Sequence, residues 1–371
     1  MKKDTTTKAS ASGRKKLRNG KLTIGIDLGD RSSRYCILDE QGEVLKEGSL
    51  ATTQNGFNQI LGALPHSRVA LEAGTHSPWV SRHLKKLGHT VIVANPRRVR
   101  LIAQSRNKND QLDAETLARL AHADPQLLYP IQHRSEQAQT DLAMIRVRAG
   151  LVESRTALIN TARGLTKSFG ERLPKCDAGN VHAELAKPLP DGVRQAVEPL
   201  LEQVGELTER IKNYDTEIEK IAAERYPEVQ LLTPVWGLGT LSALTYILTI
   251  DDPHRFKQSR DVGSFLGLRP GRRESGQMRR ELGITKEGDV YLRKLLVQCA
   301  LVILSRGGRD SDLRRWGLKL AGRGVKNAKK RARVAVARKL AVLLHHLWVN
   351  GVVYEPLYNS SKQKQEQKAA A

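Results

Sequence analysis

The chain has 371 residues, enough for two to three domains and a sizeable core. Its 62 Lys and Arg against 39 Asp and Glu leave a net charge of +23, while the hydrophobic fraction of 39% stays in the globular range; together these point to a polyanionic partner, nucleic acid first. No apolar run reaches the ~18 residues of a membrane span, no apolar core near the start suggests a secretion signal, and Cys36, Cys176 and Cys299 are too few and too far apart for a disulfide framework or a zinc site, so they are expected to be packing residues.

Residues 1–20 set Lys2, Lys3, Lys8, Arg14, Lys15, Lys16 and Arg18 against Asp4 among Ser, Thr and Gly, which predicts a flexible basic arm. Over 21–130, the short β-rich runs LTIGIDLG, SRYCILDE, EVLKEGSLA, RVALEAG and HTVIVANP alternate with the helical stretches FNQILGALP and PWVSRHLKKLG after the third run. The order β-β-β-α-β-α-β-α predicts an α/β domain with a mixed sheet. Over 131–226 the pattern is helical, from about Glu136 to Phe169 and from Val193 to Arg225, with LPKCDAGN and AKPLPDG as loops. In the second helix Val197, Val204, Ile211 and Ile218 occupy one heptad seat and Leu200, Leu207, Tyr214 and Ile221 the other. That spacing predicts a coiled-coil seam; the alternative is an amphipathic helix packed inside its own domain. Residues 227–358 form a mostly α-helical C-terminal domain. Its stretch from Leu313 to Leu340, with eleven Lys or Arg and no acid, including Lys329, Lys330 and Arg331, is expected to contact phosphates. Residues 359–371 are a polar tail, expected to be disordered.

The acids carry the chemistry. Asp27 ends the first strand, where Leu22, Ile24 and Ile26 alternate with Thr23, Gly25 and Asp27, and Gly25 and Gly29 leave room for close approach. Glu72 occupies the matching place in RVALEAG. Asp110 and Asp113 lie in KNDQLDAETLARLA, where a three-residue spacing puts both on one helical face. Singly such acids cap turns or solvate a helix. Four that converge suit phosphoryl transfer by two Mg²⁺ ions, hard cations that take oxygen ligands. IDLGD also resembles the phosphate-gripping hairpin of actin-like ATPases and sugar kinases. Those folds repeat the device, whereas the later Asp177-Ala178-Gly179 follows no strand.

GIDLGDRSSRYCILDEQG, ALEAGTHS and KNDQLDAETLARL, followed by FLGLRPGRRESGQMRRELGITKEGDVYLRKLL, resemble the DEDD transposases of bacterial insertion sequences, the RNA-guided bridge recombinases, from about Lys21 to Tyr358. The resemblance implies a RuvC-like (RNase H-like) domain over 21–130 with an acidic tetrad, a helical coiled-coil assembly region, and a C-terminal transposase domain with a serine nucleophile. Matched residue by residue, the tetrad falls on Asp27, Glu72, Asp110 and Asp113, with Mg²⁺ as cofactor, and the serine on Ser275. It further implies donor and target DNA, a structured non-coding guide (bridge) RNA, a homodimer or homotetramer joined by the coiled coil, and a bacterial cytoplasmic, nucleoid-associated location.

Ser275 sits between Arg272, Arg273 and Arg279, Arg280, with Gly276 next and no histidine adjacent. A Ser-His-Asp relay has no local support; guanidinium groups, the metal pair or its carboxylates would have to activate the hydroxyl. Apart from the resemblance, the segment reads as a turn or a phosphate-binding loop. Trp236-Gly237-Leu238-Gly239 resembles a helix-hairpin-helix turn, whose backbone amides can hold a phosphate through Gly237 and Gly239, although the family usually has Pro where this chain has Trp236. At 4% aromatic residues, backbone charge contacts and pairing by a guide RNA suit the chain better than base stacking. The expectation is therefore a transposase that cuts and rejoins DNA through a phosphoserine link resolved by a 3′-hydroxyl. The competing expectations are a RuvC-type junction nuclease using water, and a non-catalytic nucleic-acid-binding scaffold.

Overall fold

A computed structural model describes residues 21–102, 110–275 and 278–361. The predicted basic arm lies outside the described residues, as do the side chains of Asp110, Ser275, Arg279 and Arg280. The chain forms two compact units, Met1–His133 and Arg134–Ala371.

In the first unit β1 (Thr23–Asp27), β2 (Ser32–Leu38) and β3 (Val44–Ala51) pair antiparallel, while β4 (Arg68–Glu72) and β5 (Thr90–Ala94) continue the sheet parallel to β1, in the order β3-β2-β1-β4-β5. This is the mixed sheet that the strand pattern predicts. The parallel connections need crossover helices, supplied by α1 (Gln54–Leu61) between β3 and β4 and by α2 (Ser77–Lys86) between β4 and β5, while α3 (Pro96–Ile102) and α4 (Asp110–Ala123) follow the last strand. One face, with Ile24, Ile26, Val69 and Leu71, packs on Phe57, Leu61, Val80 and Leu84 of α1 and α2. The other carries Cys36 and Leu38 against Ala114 and Ala118, and Ala70 against Leu117 and Ala121, all four of the latter on α4.

The second unit opens with α5 (Glu136–Ser168) and α6 (Asp191–Arg225), which form an antiparallel hairpin. Ile159 and Ala162 pack on Val193, Val197 and Val204 at one end, and Ala138, Leu142 and Ile145 on Ile218 and Ile221 at the other. The heptad seats are thus covered by α5 of the same chain, with Leu201, Thr208 and Ala222 buried beside them. A stripe this wide belongs to a core-facing helix rather than a narrow two-stranded seam, so these seats do not by themselves offer a surface for another copy.

Beyond the hairpin come α7 (Glu228–Leu232), α8 (Thr240–Ile250), α9 (Asp261–Phe265), the two-stranded β6 (Pro270–Ser275) and β7 (Met278–Ile284), α10 (Val290–Ile303), α11 (Asp312–Ala321) and α12 (Ala328–Asn350). Tyr246, Leu296 and Leu340 share one core with Ile145 and Ile218, so the boundary expected at 226/227 falls inside a continuous core. The expected tail from Asn359 begins with helical residues to Ser361, where Asn359 N–H donates to Asp312 over 2.8 Å. Among the described residues no helix is long and apolar enough to cross a membrane.

Candidate active site

Two sites emerge, one in each unit. In the first, the register that pairs Ile26 with Leu71 leaves Asp27 and Glu72 side by side at the ends of adjacent parallel strands, whose spacing is about 4.8 Å. Strand alternation puts Asp27 on the face of Gly25 and Glu72 on the face of Ala70. That is the face covered by α4. Both carboxylates are half-buried.

Gly25 explains how α4 comes so close. A Cβ there would stand 2.0 Å from the Ala114 carbonyl oxygen and 2.5 Å from the Ala118 nitrogen, so only glycine lets the helix backbone press on β1. At the other end of the helix, Arg68 Nη1 donates to the Ala121 carbonyl over 2.9 Å. Ala121 therefore lies over the start of β4 and Ala114 further along the strands. The helix runs antiparallel to β1 and β4, and its first turn, with Asp110 and Asp113, lies toward the Asp27 and Glu72 end.

The four predicted acids are therefore brought to one end of the sheet by their elements. Asp113 is exposed, and among the described residues no group of three or more His, Cys, Asp or Glu side chains is gathered to hold an ion. The expected four-carboxylate cluster is thus not assembled among the described side chains, since that of Asp110 lies outside them. What the chain does present is a pair of half-buried carboxylates on strand ends, a hard-oxygen donor set that fits a divalent cation.

The loops next to this pair hold residues that pattern reading missed. Trp79 Nε1 donates to His76 Nδ1 over 3.2 Å, and His76 Nε2 lies 3.4 Å from Asp30 Oδ1. In neutral His76 the proton then sits on Nε2. Nothing in GTHSPW has a period that would have flagged it. Thr52 Oγ1 donates to the Gly29 carbonyl over 2.9 Å and shares a 2.8 Å hydrogen bond with Ser33, fixing the turn after Asp27.

The second site is the β6-β7 hairpin. Ser275 is the last residue of β6 and pairs with Met278; Arg273 pairs with Arg280, and Arg272 with Glu281. Alternation places positions 273, 275, 278 and 280 on one face and 272, 274, 279 and 281 on the other. The arginines that flank the serine in sequence therefore divide, and positions 273 and 280 share its face.

The base of the hairpin is rigidly tied. Gly267 and Gly288 have φ of +66° and +70°, and a Cβ on either would meet the Glu287 or Phe265 carbonyl oxygen at 2.2 or 2.1 Å, so both positions demand glycine. The buried Arg293 donates through Nη1 to the Leu266 carbonyl over 3.0 Å and also to the Glu287 carbonyl, joining the segment before β6 to the loop after β7. Asp289 Oδ1 accepts the Leu292 N–H at 2.8 Å as the cap of α10, and its carboxylate is paired with Arg146 and, at 3.7 Å, with Arg134. Burial pushes this carboxyl up, but the Leu292 amide and Arg146, aided by Arg134, pull it below the usual carboxylate range.

Other predicted contact residues are placed as follows. Gly237, at φ +86°, lets its turn pack on α10, where a Cβ would stand 3.2 Å from the Cys299 carbonyl oxygen. Gly239 is the N-cap of α8 and has open space around it, and the Arg309 guanidinium stacks 4.5 Å from the Trp236 ring centroid. Lys329, Lys330 and Arg331 are exposed in the first turn of α12, which has no acid and no side-chain cap. Cations at the positive end of a helix dipole are unfavourable unless an anion joins them. Cys36 and Cys299 are buried and Cys176 is partly exposed, all as free thiols; burial, with Glu47 and Glu115 nearby, pushes Cys36 up to about 12.

Residues 24–169 match a transposase family of the DEDD type found in IS110 elements, and residues 229–314 match the transposase IS116/IS110/IS902 family. The chain is similar to the transposase for insertion sequence element IS1328 of Yersinia enterocolitica, 31% identical over 89% of this chain and 98% of that one. It is similar also to the transposase for insertion sequence element IS1111A of Coxiella burnetii, 29% identical over 89% and 90%, and to a probable family 20 transposase of Pseudomonas aeruginosa, 29% identical over 90% and 98%.

Proposed function

The chain belongs to the IS116/IS110/IS902 family of transposases, and from that premise we propose that it cuts and rejoins DNA through Ser275 together with Asp27, Glu72, Asp110 and Asp113. The observation that carries the reading is the placement of Asp27 and Glu72 on one sheet face at neighbouring strand ends, toward which the first turn of α4 points. These carboxylates would hold divalent metal, Mg²⁺ in this proposal, whose chemistry is to stabilise charge on the attacking and leaving oxygens.

In the proposed reaction the Ser275 Oγ loses its proton and bonds to the scissile phosphorus as the bond to the 3′-oxygen of the cut strand breaks. The serine then carries a 5′-phosphate and the cut strand ends in a 3′-hydroxyl. A 3′-hydroxyl from another strand attacks that phosphorus, the bond to Oγ breaks, and the serine regains a proton. One phosphodiester is exchanged for another, so no external energy source is needed. The tied base fixes where the hairpin starts and ends, which supports this role by limiting the motion of β6 before the phosphate arrives, and position 273 would meet the developing charge. A structured guide RNA and a homo-oligomer complete the proposal. The charge of +23 with 4% aromatic residues suits duplex recognition through phosphates, and assembly would use surfaces other than the seats that α5 covers.

The test is a denaturing gel of the protein incubated with element-end DNA, its guide RNA and Mg²⁺. A covalent protein–DNA species that vanishes in Ser275→Ala, and cleavage that vanishes in Asp27→Asn, are expected. Undiminished cleavage by Ser275→Ala without such a species would instead assign the attack to water.

A further inference from the structure

Behind the hairpin, on the face opposite to that of position 275, Arg260, Arg269, Arg272 and Arg338 open with Ser264 and Asp261 onto one cavity of about 310 Å³. Arg260 and Arg269 flank α9, Arg272 is in β6, and Arg338 comes from the middle of α12. The four guanidiniums therefore come from separate segments that tertiary packing brings together. Three are exposed, Arg338 is half-buried, and among the described residues none is within ion-pair distance of an acid.

Elsewhere in this unit several arginines are matched by acids, Arg148 to Asp215, Arg225 to Asp141 and Arg315 to Asp310. Here the lining sets four guanidiniums against one carboxylate, Asp261, and like charges held together repel unless further counter-charge joins them. The cavity is also built. Gly263 is buried, and a Cβ on it would stand 3.1 Å from Arg338 Cγ and 3.3 Å from its Nε, so the missing side chain is what lets the Arg338 stem lie across α9 and deliver its head to the cavity.

We propose that this cavity is a phosphate-binding subsite for a nucleic-acid strand, in which Arg260, Arg269, Arg272 and Arg338 hold a backbone phosphodiester while Ser264 contributes a hydroxyl donor. Guanidinium forks match phosphate oxygens in geometry as well as charge. The subsite extends the reading of the chain as a DNA-cutting enzyme. Arg272 precedes Ser275 by three strand residues, about 10 Å, and lies on the other face, so the phosphate held here is one other than the scissile one. Its role is to fix the strand's path past the hairpin. Asp261 opposes that binding from the rim, which gives the proposal a test in which two substitutions act with opposite sign.

The full-length protein is titrated with a fluorescent single-stranded DNA, its duplex and an RNA of the same sequence across a salt series. Arg260→Gln combined with Arg338→Gln is expected to weaken binding about tenfold or more and to flatten the salt slope by about 0.7–0.9 for each phosphate that is no longer neutralised. Asp261→Asn is expected to tighten it a few-fold. Arg269→Gln, an exposed position, repeats the loss if the double variant folds poorly. Weakening for DNA alone assigns the phosphate to DNA, and weakening for RNA alone to the guide. Unchanged affinity in all variants, or weakening by Asp261→Asn, overturns the proposal. The titration reads binding without cleavage, so failure of the subsite is separable from failure of the serine chemistry.

Discussion

Arg148 grips Asp215 across the helical hairpin through two hydrogen bonds, 2.8 and 3.1 Å long, where α5 and α6 lie against each other. Seven residues further along α5, Arg155 donates to Thr208 over 3.2 Å. These polar layers sit between apolar clusters at the two ends of the hairpin. A polar pair that matches in only one alignment selects register at some cost in stability.

Removing one partner of that pair should therefore cost more than removing both. Asp215→Ala leaves a guanidinium only 20% exposed without its acid, and should lower stability by about 1–3 kcal/mol. Arg148→Met with Asp215→Leu should lower it by less than the two single changes summed. Urea unfolding of the four-member cycle measures the coupling, expected at about 0.5–3 kcal/mol.

Gly25 should tolerate no side chain. A methyl group there meets backbone rather than a flexible side chain, so Gly25→Ala must push α4 off the sheet, at a cost of about 3 kcal/mol or more. Gly74, in the loop after Glu72, has open space around it and its alanine variant should be nearly neutral. Thermal unfolding of both variants, with limited proteolysis around α4, checks the contrast.

Stability should depend on pH through Asp289. Its folded carboxyl lies below the ordinary value of about 3.9. The group's contribution is thus fully present above that unfolded value and is lost as pH falls through the lower folded one. Denaturation midpoints between pH 3 and 7 should drop at the acid end, and Asp289→Asn should flatten that part of the profile.

The native thiols should react unequally. Cys36 and Cys299 are buried, with burial raising both, whereas Cys176 is partly exposed. A thiolate is the reacting species, so a chromogenic disulfide reagent should label Cys176 quickly in the native protein and the other two only after denaturation. Rapid labelling of all three would contradict the packing described.

The mixed sheet of the first unit was legible because the connections constrain it. Close β runs favour hairpins, and β runs separated by helices require parallel crossovers. The strand-end placement of Asp27 and Glu72 was legible because each closes a short apolar strand and is followed within two residues by glycine. The burial of Val197, Val204, Ile211 and Ile218 was equally plain in their period. What covers them was not, because a heptad repeats the same apolar face to any helix, and α5 interrupts its own seam with Arg148 and Arg155.

The amino-acid order by itself thus determined the local elements, the burial of their apolar faces and the identity of the strand-end acids, since periodicity and turn chemistry act over a few residues. Tertiary structure alone decided that Gly25 exists to admit α4, that Arg293 ties Leu266 to Glu287, and that Arg260, Arg269, Arg272 and Arg338 share a cavity. Those relations join residues up to 93 positions apart in α4 with β1 and up to 78 in the cavity, and no pattern within one segment encodes which distant backbone it will meet.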